Sequence, residues 1–140
     1  MTNGCFDLLH PGHIASLRAA RQEGDCLVVG LNSDASVKLL KGPQRPIVKE
    51  AGRAEMLASL EFVDYVVLFD ERDVTRLVRD VQPDVLVKSA SYSKEEVVGR
   101  EIEEHGGRVV LVPFDPAYST TQLIAQIQDV RPTAAASERP

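Results

Sequence analysis

Two histidines and a Pro-Gly pair near the start of the chain are the first residues that could do chemistry. Residues 10–13 read His-Pro-Gly-His. Proline fits the first turn of a helix, where its missing N–H costs nothing, so a helix start is predicted here. The free amides and the positive dipole end of such a start favour a phosphate group. The imidazoles of His10 and His13 could add hydrogen bonds to phosphate oxygens and steady the charge on a departing group.

The same pair has two ordinary explanations, which are surface capping and part of a metal site. The zinc interpretation is weak because, apart from Asp7, no cysteine or carboxylate stands at ligand spacing. The sequence therefore predicts no protein-held metal.

A second candidate phosphate site lies near the other end of the chain. Ser119, Thr120 and Thr121 stand together ahead of an apolar helical pattern. Three hydroxyl residues at a helix start can cap the helix and also bind an anion. A basic cluster in the middle of the chain adds a third candidate, with Lys38, Lys41, Arg45 and Arg53.

Short apolar runs alternate with helical patterns along the chain. A first strand is predicted to end at the start of the loop 3–12, and four more strands are predicted at 26–31, 65–69, 85–88 and 109–112. Helices are predicted over 14–20, 54–60, 74–81, 94–105 and from 120, and a loop over most of 32–50. This alternation predicts an α/β fold, a doubly wound parallel five-stranded sheet with helices on both faces. Ligands of such sheets bind beyond the carboxyl ends of the strands, here in the loops 3–12, 32–50, 88–94 and 113–120. All three clusters fall on this edge, which favours a polyphosphate ligand.

These motifs resemble those of a known family. Residues 4–13, Gly-Cys-Phe-Asp-Leu-Leu-His-Pro-Gly-His, resemble the signature of the cytidylyltransferase-like nucleotidyltransferases, and the Ser-Thr-Thr segment resembles that family's second phosphate motif. Within the family, residues 2–7, 29–34 and 40–42 are most similar to the stand-alone form of the D-glycero-β-D-manno-heptose 1-phosphate adenylyltransferase domain of ADP-heptose synthase. The resemblance implies a Rossmann-like nucleotidyltransferase domain over residues 1–130, with 131–140 as a flexible tail.

The resemblance also implies a role for each matched residue. His10 and His13 would bind the nucleoside triphosphate and stabilise the transition state, with Lys41 neutralising phosphate charge. Asp7 and Arg53 match positions near the sugar-phosphate acceptor. The remaining matched positions would bind the nucleotide, and they are Cys5, Phe6, Gly12, Lys88, Ser119, Thr120 and Thr121. Mg²⁺ would travel with the triphosphate, in keeping with its preference for phosphate oxygens and water.

The expected reaction transfers AMP from ATP to heptose 1-phosphate. Two departures from the family pattern keep alternatives open. Residues 88–92 read Lys-Ser-Ala-Ser-Tyr where these enzymes carry Lys-Gly-Gly-Asp-Tyr, and only Met1 and Thr2 precede Asn3, so the first strand is expected to be truncated and to leave neighbouring backbone groups unpaired. The alternatives are a CTP-dependent enzyme acting on a polyol phosphate such as glycerol 3-phosphate and a nucleotide-binding module without turnover. A flavodoxin-like regulatory domain would not explain why the phosphate-binding features coincide on one edge.

Composition limits the remaining classes of function. The 140 residues carry 16 basic and 21 acidic side chains and a net charge of −5, which argues against general nucleic-acid binding. No apolar run approaches the ~18 residues of a membrane span. No signal peptide is recognisable, and Cys5 and Cys26 fit buried free thiols, so a cytoplasmic protein is expected. The family relationship adds two possible partners, a separate sugar kinase and a second copy in a homodimer.

Overall fold

The computed structural model describes residues 1–90, 99–113 and 117–130 of the chain. Its elements, in chain order, are β1 (Thr2–Gly4), α1 (Pro11–Gln22), β2 (Val28–Asn32), α2 (Asp34–Lys41), α3 (Glu50–Ala58), β3 (Tyr65–Phe69), α4 (Thr75–Val81), β4 (Val85–Ser89), α5 (Gly99–Glu103), β5 (Arg108–Val112) and α6 (Thr120–Asp129). The predicted tail, 131–140, lies outside the described residues.

The strands form two parallel ladders that meet at Met1. β1, β2 and β3 pair in that order, and β4 pairs with β5. The Met1 nitrogen donates to the Val85 carbonyl at 2.8 Å, and the Val87 amide donates to the Met1 carbonyl at 2.8 Å. The spatial order is therefore β3-β2-β1-β4-β5. Successive strands are added on one side of β1 up to β3, and on the other side from β4 onwards. This confirms the predicted α/β class and places the switch point, where such sheets bind ligands, beside β1.

The first strand is short, but its neighbour β4 is still paired. After the two bonds of Met1, the Thr2 hydroxyl donates to the Val87 carbonyl at 2.9 Å. The expectation that a short strand would leave neighbouring backbone groups unpaired is therefore wrong for Val85 and Val87. The hydrogen bonding between β1 and β4 thus passes from the backbone of Met1 to the side chain of Thr2.

Two apolar clusters cover the two faces of the sheet. On one face α1 and α3 contribute Leu17, Ala20 and Leu57, which pack with Val29 and Leu31 of β2. On the other face α4 and α5 pack against the sheet through Val74, Leu77, Val78 and Ile102. Adjacent residues of β4 divide between the faces, Leu86 to one and Val87 to the other, as the period of two in a strand requires. Helices therefore lie on both faces, as predicted.

The segment 32–50 differs from the sequence prediction, because its first half is the helix α2 rather than a loop. The Ser33 hydroxyl accepts from the Ser36 amide and caps the helix. Gly42, at a φ of 96°, ends it in a conformation that favours glycine. The proline and glycine signals at 42–46 mark a loop correctly but hid the helix before it. Lys38 and Lys41 thus lie on a helix.

Two smaller expectations are also corrected. Both cysteines were expected to be buried, but Cys5 is half-buried and Cys26 is exposed. The helix predicted over 94–105 is described only as α5, since residues 91–98 lie outside the described residues. No helix in the described part of the chain combines the length and apolar character that a membrane span requires.

Candidate active site

A cavity of about 530 Å³ lies at the carboxyl ends of β1 and β4. It opens where the strand order reverses, and the loops after these strands form its walls. Eleven of the twelve site residues predicted from the sequence line it, and they are Cys5, Phe6, Asp7, His10, Gly12, His13, Lys41, Lys88, Ser119, Thr120 and Thr121. The twelfth, Arg53, does not.

The two histidines stack on each other at the start of α1. Their ring centroids are 3.7 Å apart and their planes differ by 18°. His10 is the N-cap residue, and its Nδ1 accepts a hydrogen bond from the His13 amide at 3.3 Å. The ring of Phe6 meets that of His13 edge-on, with centroids 5.3 Å apart. The pair is therefore held by local packing before any ligand contributes.

This geometry fixes the proton positions that the site can use. Because His10 Nδ1 accepts a hydrogen bond, the neutral ring carries its proton on Nε2, which is then the donor available to a ligand. Burial lowers the pKa of His10. Burial, and secondly the charge of neighbouring His10, lower the pKa of His13 to about 4. Both imidazoles are therefore neutral near pH 7 and act as hydrogen-bond donors rather than as cations.

Gly12 lies where the protein's own side chains pack closely. The sequence suggested that it lets the base and ribose of a nucleotide approach. A Cβ at this position would lie 3.1 Å from the His10 ring and 3.1 Å from Cβ of Tyr118. Glycine is therefore needed first for the packing of the protein's own side chains, which brings the end of the last loop against the histidines.

The hydroxyl cluster sits at the start of α6, as predicted. The Ser119 side chain accepts from the Gln122 amide at 3.1 Å and is the N-cap. The Thr120 hydroxyl donates to the Asp7 carbonyl at 2.8 Å and so ties α6 to the turn after β1. Two helix N-termini, those of α1 and α6, thus border one cavity. Both offer a positive dipole end to an anion, with the amide of Gly12 at α1 and the amides of Thr120 and Thr121 at α6.

Asp7 is buried, and both of its carboxylate oxygens are engaged by the protein. It accepts from the Ile47 amide at 2.8 Å, the Val48 amide at 2.9 Å and Arg45 Nε at 2.6 Å. Burial alone raises the pKa of Asp7, but the amides of Val48 and Ile47 and the Arg45 guanidinium outweigh it and hold this pKa below its ordinary value. In this structure Asp7 holds the segment 45–48 in place, rather than reaching towards an acceptor.

Arg53 needs a larger correction. Its side chain is 0% exposed. The guanidinium donates to the carbonyls of Cys5, Asn32 and Val48 and to the Asp34 carboxylate, at 2.7 to 2.9 Å. A buried arginine with these partners cannot touch a substrate. It ties together the turn after β1, the end of β2 and the segment before α3, so its contribution to the site is positional.

The lysines and the cysteine line the same cavity. Lys41 is exposed at the end of α2, whereas Lys88 is half-buried at the end of β4. Burial lowers the pKa of Lys88 to about 8. Burial also raises the pKa of the Cys5 thiol, although the charges of Lys41, Arg53 and Arg45 oppose this. Cys5 is thus protonated near pH 7 and lines the cavity as a neutral group.

Several residues that line the cavity were not among the site residues predicted from the sequence. Arg72, Asp73 and Val74 lie in the loop after β3. This loop was not among the predicted ligand-binding loops, although it also follows a strand of the sheet. Tyr118 precedes the hydroxyl cluster, and its ring lies parallel to that of His10 with centroids 6.4 Å apart. Applying the carboxyl-end rule to every strand would have found the first group.

The turn after β1 carries unusual backbone and unpaired polar atoms. Phe6 and Leu8 have positive φ angles of 46° and 53°, which non-glycine residues adopt at some cost in energy. His13 Nδ1 and Asn3 Oδ1 are buried without a hydrogen-bond partner among the described residues. Such features concentrate where a ligand is bound.

The donor groups on the walls of the cavity suit an anion. Within the described residues, no three His, Cys, Asp or Glu side chains come together as a metal site. The walls instead offer N–H donors and cations, which suit phosphate oxygens.

The fold and this cavity define an α/β protein in which two helix N-termini, suited to phosphate groups, border one cavity. A family model described as Cytidylyltransferase-like matches residues 1–131. The chain belongs to the cytidylyltransferase-like family, which confirms the predicted resemblance and the class of enzyme, a nucleotidyltransferase.

Individual relatives extend this result. The chain is 57% identical over 128 residues to the bifunctional protein HldE of Geotalea uraniireducens (strain Rf4), covering 91% of this chain and 26% of that protein. It is 54% identical over 129 residues to the protein of the same name from Rhodopseudomonas palustris (strain BisA53), with the same coverage of 91% and 26%. The chain spans about a quarter of the length of these curated relatives.

A solved structure is also similar. It is described as the lipopolysaccharide core biosynthesis protein from Thermoplasma volcanium GSS1, and it superposes with a TM-score of 0.67 at 32% identity. The match covers 82% of this chain and 93% of that one.

Proposed function

We propose that this chain transfers AMP from ATP to D-glycero-β-D-manno-heptose 1-phosphate, giving ADP-heptose and pyrophosphate. The observation that carries the proposal is the convergence of two helix N-termini and two neutral imidazoles on one cavity. The similarity to the HldE proteins, at 57% and 54% identity, supports ATP and a heptose phosphate over the alternative of CTP and a polyol phosphate.

The helix starts suit the triphosphate. Its oxygens would meet the amides of Gly12, Thr120 and Thr121 and the hydroxyls of Ser119 and Thr121. Thr120 would contribute its amide, because its hydroxyl donates to the Asp7 carbonyl. His10 Nε2 and the His13 ring then face the α-phosphate, where negative charge grows in the transition state. Lys41 and Lys88 add positive charge to the walls of the same cavity.

The chemical step needs positioning more than acid–base catalysis. A phosphate oxygen of the acceptor attacks the α-phosphorus in line, and the bond from that phosphorus to the bridging oxygen breaks as pyrophosphate leaves. A phosphate monoester is already ionised near pH 7, so no residue has to remove a proton. This agrees with a site whose histidines are neutral donors and whose buried carboxylate, Asp7, is occupied by the protein.

Mg²⁺ bound to the triphosphate would offset its charge and align its oxygens. The residues that would hold this complex are those of the two helix starts, through the phosphate oxygens. The same proposal includes three points about the cellular setting of the protein. These are a cytoplasmic location, a separate sugar kinase as a partner and assembly into a homodimer.

The test is a pyrophosphate-release assay with ATP or CTP and with heptose 1-phosphate or glycerol 3-phosphate. We expect release with ATP and heptose 1-phosphate. His10→Ala and His13→Ala should each lower kcat by about 10²–10³, the usual cost of losing one transition-state donor. His105→Ala is the matched control, because His105 contacts the Pro83 carbonyl and does not line the cavity.

Three results would contradict parts of the proposal. Release only with CTP and glycerol 3-phosphate would replace both substrates. Binding of ATP without release under any acceptor would indicate a module without turnover. An unchanged kcat in either histidine variant would remove the role assigned to that imidazole.

A further inference from the structure

Arg45 is held through the Nε nitrogen of its guanidinium. Its Nε donates to Asp7 Oδ2 at 2.6 Å, and its side chain is 14% exposed. Neither terminal nitrogen meets an acceptor among the residues that the structure describes. An arginine usually gives two parallel N–H groups to a carboxylate, but here Asp7 spends its other capacity on the amides of Ile47 and Val48. The forked end of Arg45 is thus left for another partner.

The location of Arg45 indicates the chemistry of this partner. Arg45 lines the same cavity as the histidines. It comes from the segment between α2 and α3, whereas the two helix starts belong to α1 and α6. The reaction brings two phosphate-bearing substrates into one cavity. In the proposed function the donors at the helix starts bind the triphosphate, so the second phosphate needs donors from another element.

We propose that Arg45 binds the phosphate group of the sugar phosphate acceptor through its two Nη nitrogens, and that Asp7 is the residue that positions it. The proposal rests on the nucleotidyl transfer proposed above. A planar fork matches two oxygens of a phosphate monoester. The third oxygen then stays available to form the new bond to the α-phosphorus, while the bond to the bridging oxygen breaks and pyrophosphate leaves with its electron pair.

This assignment explains a feature that the family resemblance left open. The resemblance places Asp7 near the acceptor, yet its carboxylate touches only protein groups among the described residues. Acting through Arg45, Asp7 influences the acceptor without contacting it.

The experiment measures binding separately from turnover. Heptose 1-phosphate is titrated calorimetrically into the protein saturated with α,β-methylene ATP, and the affinity for the ATP analogue is measured alone. Arg45→Ala should weaken binding of heptose 1-phosphate by about 10- to 100-fold, the range for charge-assisted hydrogen bonds. Its affinity for the ATP analogue should stay within about threefold, since the helix starts are intact. Arg45→Lys should fall between the two, because it keeps the charge but loses the fork.

The matched control is Arg76→Ala. Arg76 also pairs with a carboxylate, that of Glu71 at 3.1 Å, but it is exposed and does not line the cavity. This variant should leave both affinities unchanged. Thermal unfolding of each variant shows whether the fold persists.

Asp7→Asn tests the positioning role. Its KM for heptose 1-phosphate should rise by about 3- to 10-fold with the KM for ATP unchanged, because a neutral amide holds the guanidinium less firmly. Equal losses for both substrates would show a merely structural carboxylate.

The outcomes separate this proposal from the proposed function. If the wild type binds heptose 1-phosphate but releases no pyrophosphate, the reaction is wrong and the Arg45 comparison still decides the binding role. If the wild type turns over and Arg45→Ala binds the acceptor normally, the Arg45 proposal is wrong. If Arg45→Ala instead loses the ATP analogue, Arg45 belongs to the triphosphate. A wild type that binds no phosphate monoester overturns both.

Discussion

The wall of the cavity built by residues 1–69 is stabilised by hydrogen bonds of buried polar groups. The wall built by the described residues between 70 and 130 depends on apolar packing and on the N-terminal end of α6. In the first wall, Asp7 and Arg53 join the turn after β1, the end of β2 and the segment before α3. In the second wall, α6 carries the hydroxyl cluster but buries none of its residues. A site can thus place equivalent phosphate-binding groups on supports of different strength.

The helices that present the two proposed phosphate sites show the same contrast. α1 begins at the histidines and buries Leu17 and Ala20 in the core. α6 has an apolar pattern in Leu123, Ile124 and Ile127, as predicted, yet Ile127 is 63% exposed. The Thr120 hydroxyl is one of the ties that α6 makes to the site. We therefore expect substitutions to separate the two helices by their effects on stability.

The largest expected effect concerns the anchoring of these helices. Leu17→Ala should lower the free energy of unfolding by about 2–5 kcal/mol, because it removes a fully buried side chain and leaves a cavity. Ile127→Ala, the matched change on α6, should cost no more than about 0.5 kcal/mol. Chemical denaturation of both variants measures the difference. A similar cost for both would show that α6 is packed as firmly as α1 and would end the comparison.

The next effect concerns the charge of the second wall. Lys88 carries its charge below a pKa of about 8 and loses it above that value. The kcat/KM for ATP, which reports groups of the free enzyme, should therefore fall by about tenfold between pH 7 and pH 9.

An arginine variant sharpens this test. Lys88→Arg should remove the fall, because arginine keeps its charge throughout this range. Lys49→Arg is the control, since Lys49 is 74% exposed and does not line the cavity. An identical fall in Lys88→Arg would show that another group titrates.

The smallest effect concerns the tie between the walls. Thr120→Val keeps the shape of the side chain but removes the hydrogen bond to the Asp7 carbonyl. The KM for ATP should rise by about 2- to 10-fold, the worth of one hydrogen bond. Ser59→Ala removes a hydroxyl bond of the same length, 2.8 Å, from an exposed position and should leave KM unchanged. If Thr120→Val binds ATP normally, α6 is positioned by other contacts.

Local patterns predicted much of the fold. The strand at 65–69, the helix over 74–81 and the cap at Ser119 follow from short-range periodicity and capping, and the structure confirms them. α2 was missed because the glycine and prolines at 42–46 dominate the reading of that segment, although Ser33 is an ordinary N-cap.

The sequence predicted which residues form the site better than it predicted the hydrogen bonds that these residues make. Helix-start chemistry pointed to His10, His13 and the hydroxyl cluster, which the cavity brings together. The uses of Asp7 and Arg53 could not be predicted, because their partners lie 5 to 113 residues away and most of them are backbone groups that carry no sequence signal. Long-range hydrogen bonds to the main chain become visible only in the fold.

The turn after β1 also has a consequence for the kinetics of binding. Phe6 and Leu8 are held at positive φ by bonds that protein groups make among themselves, above all the three bonds of Asp7. The conformational entropy of this turn is therefore lost on folding and not when a substrate arrives. Association at this wall then requires little ordering of the chain, and its rate depends mainly on diffusion and on charge.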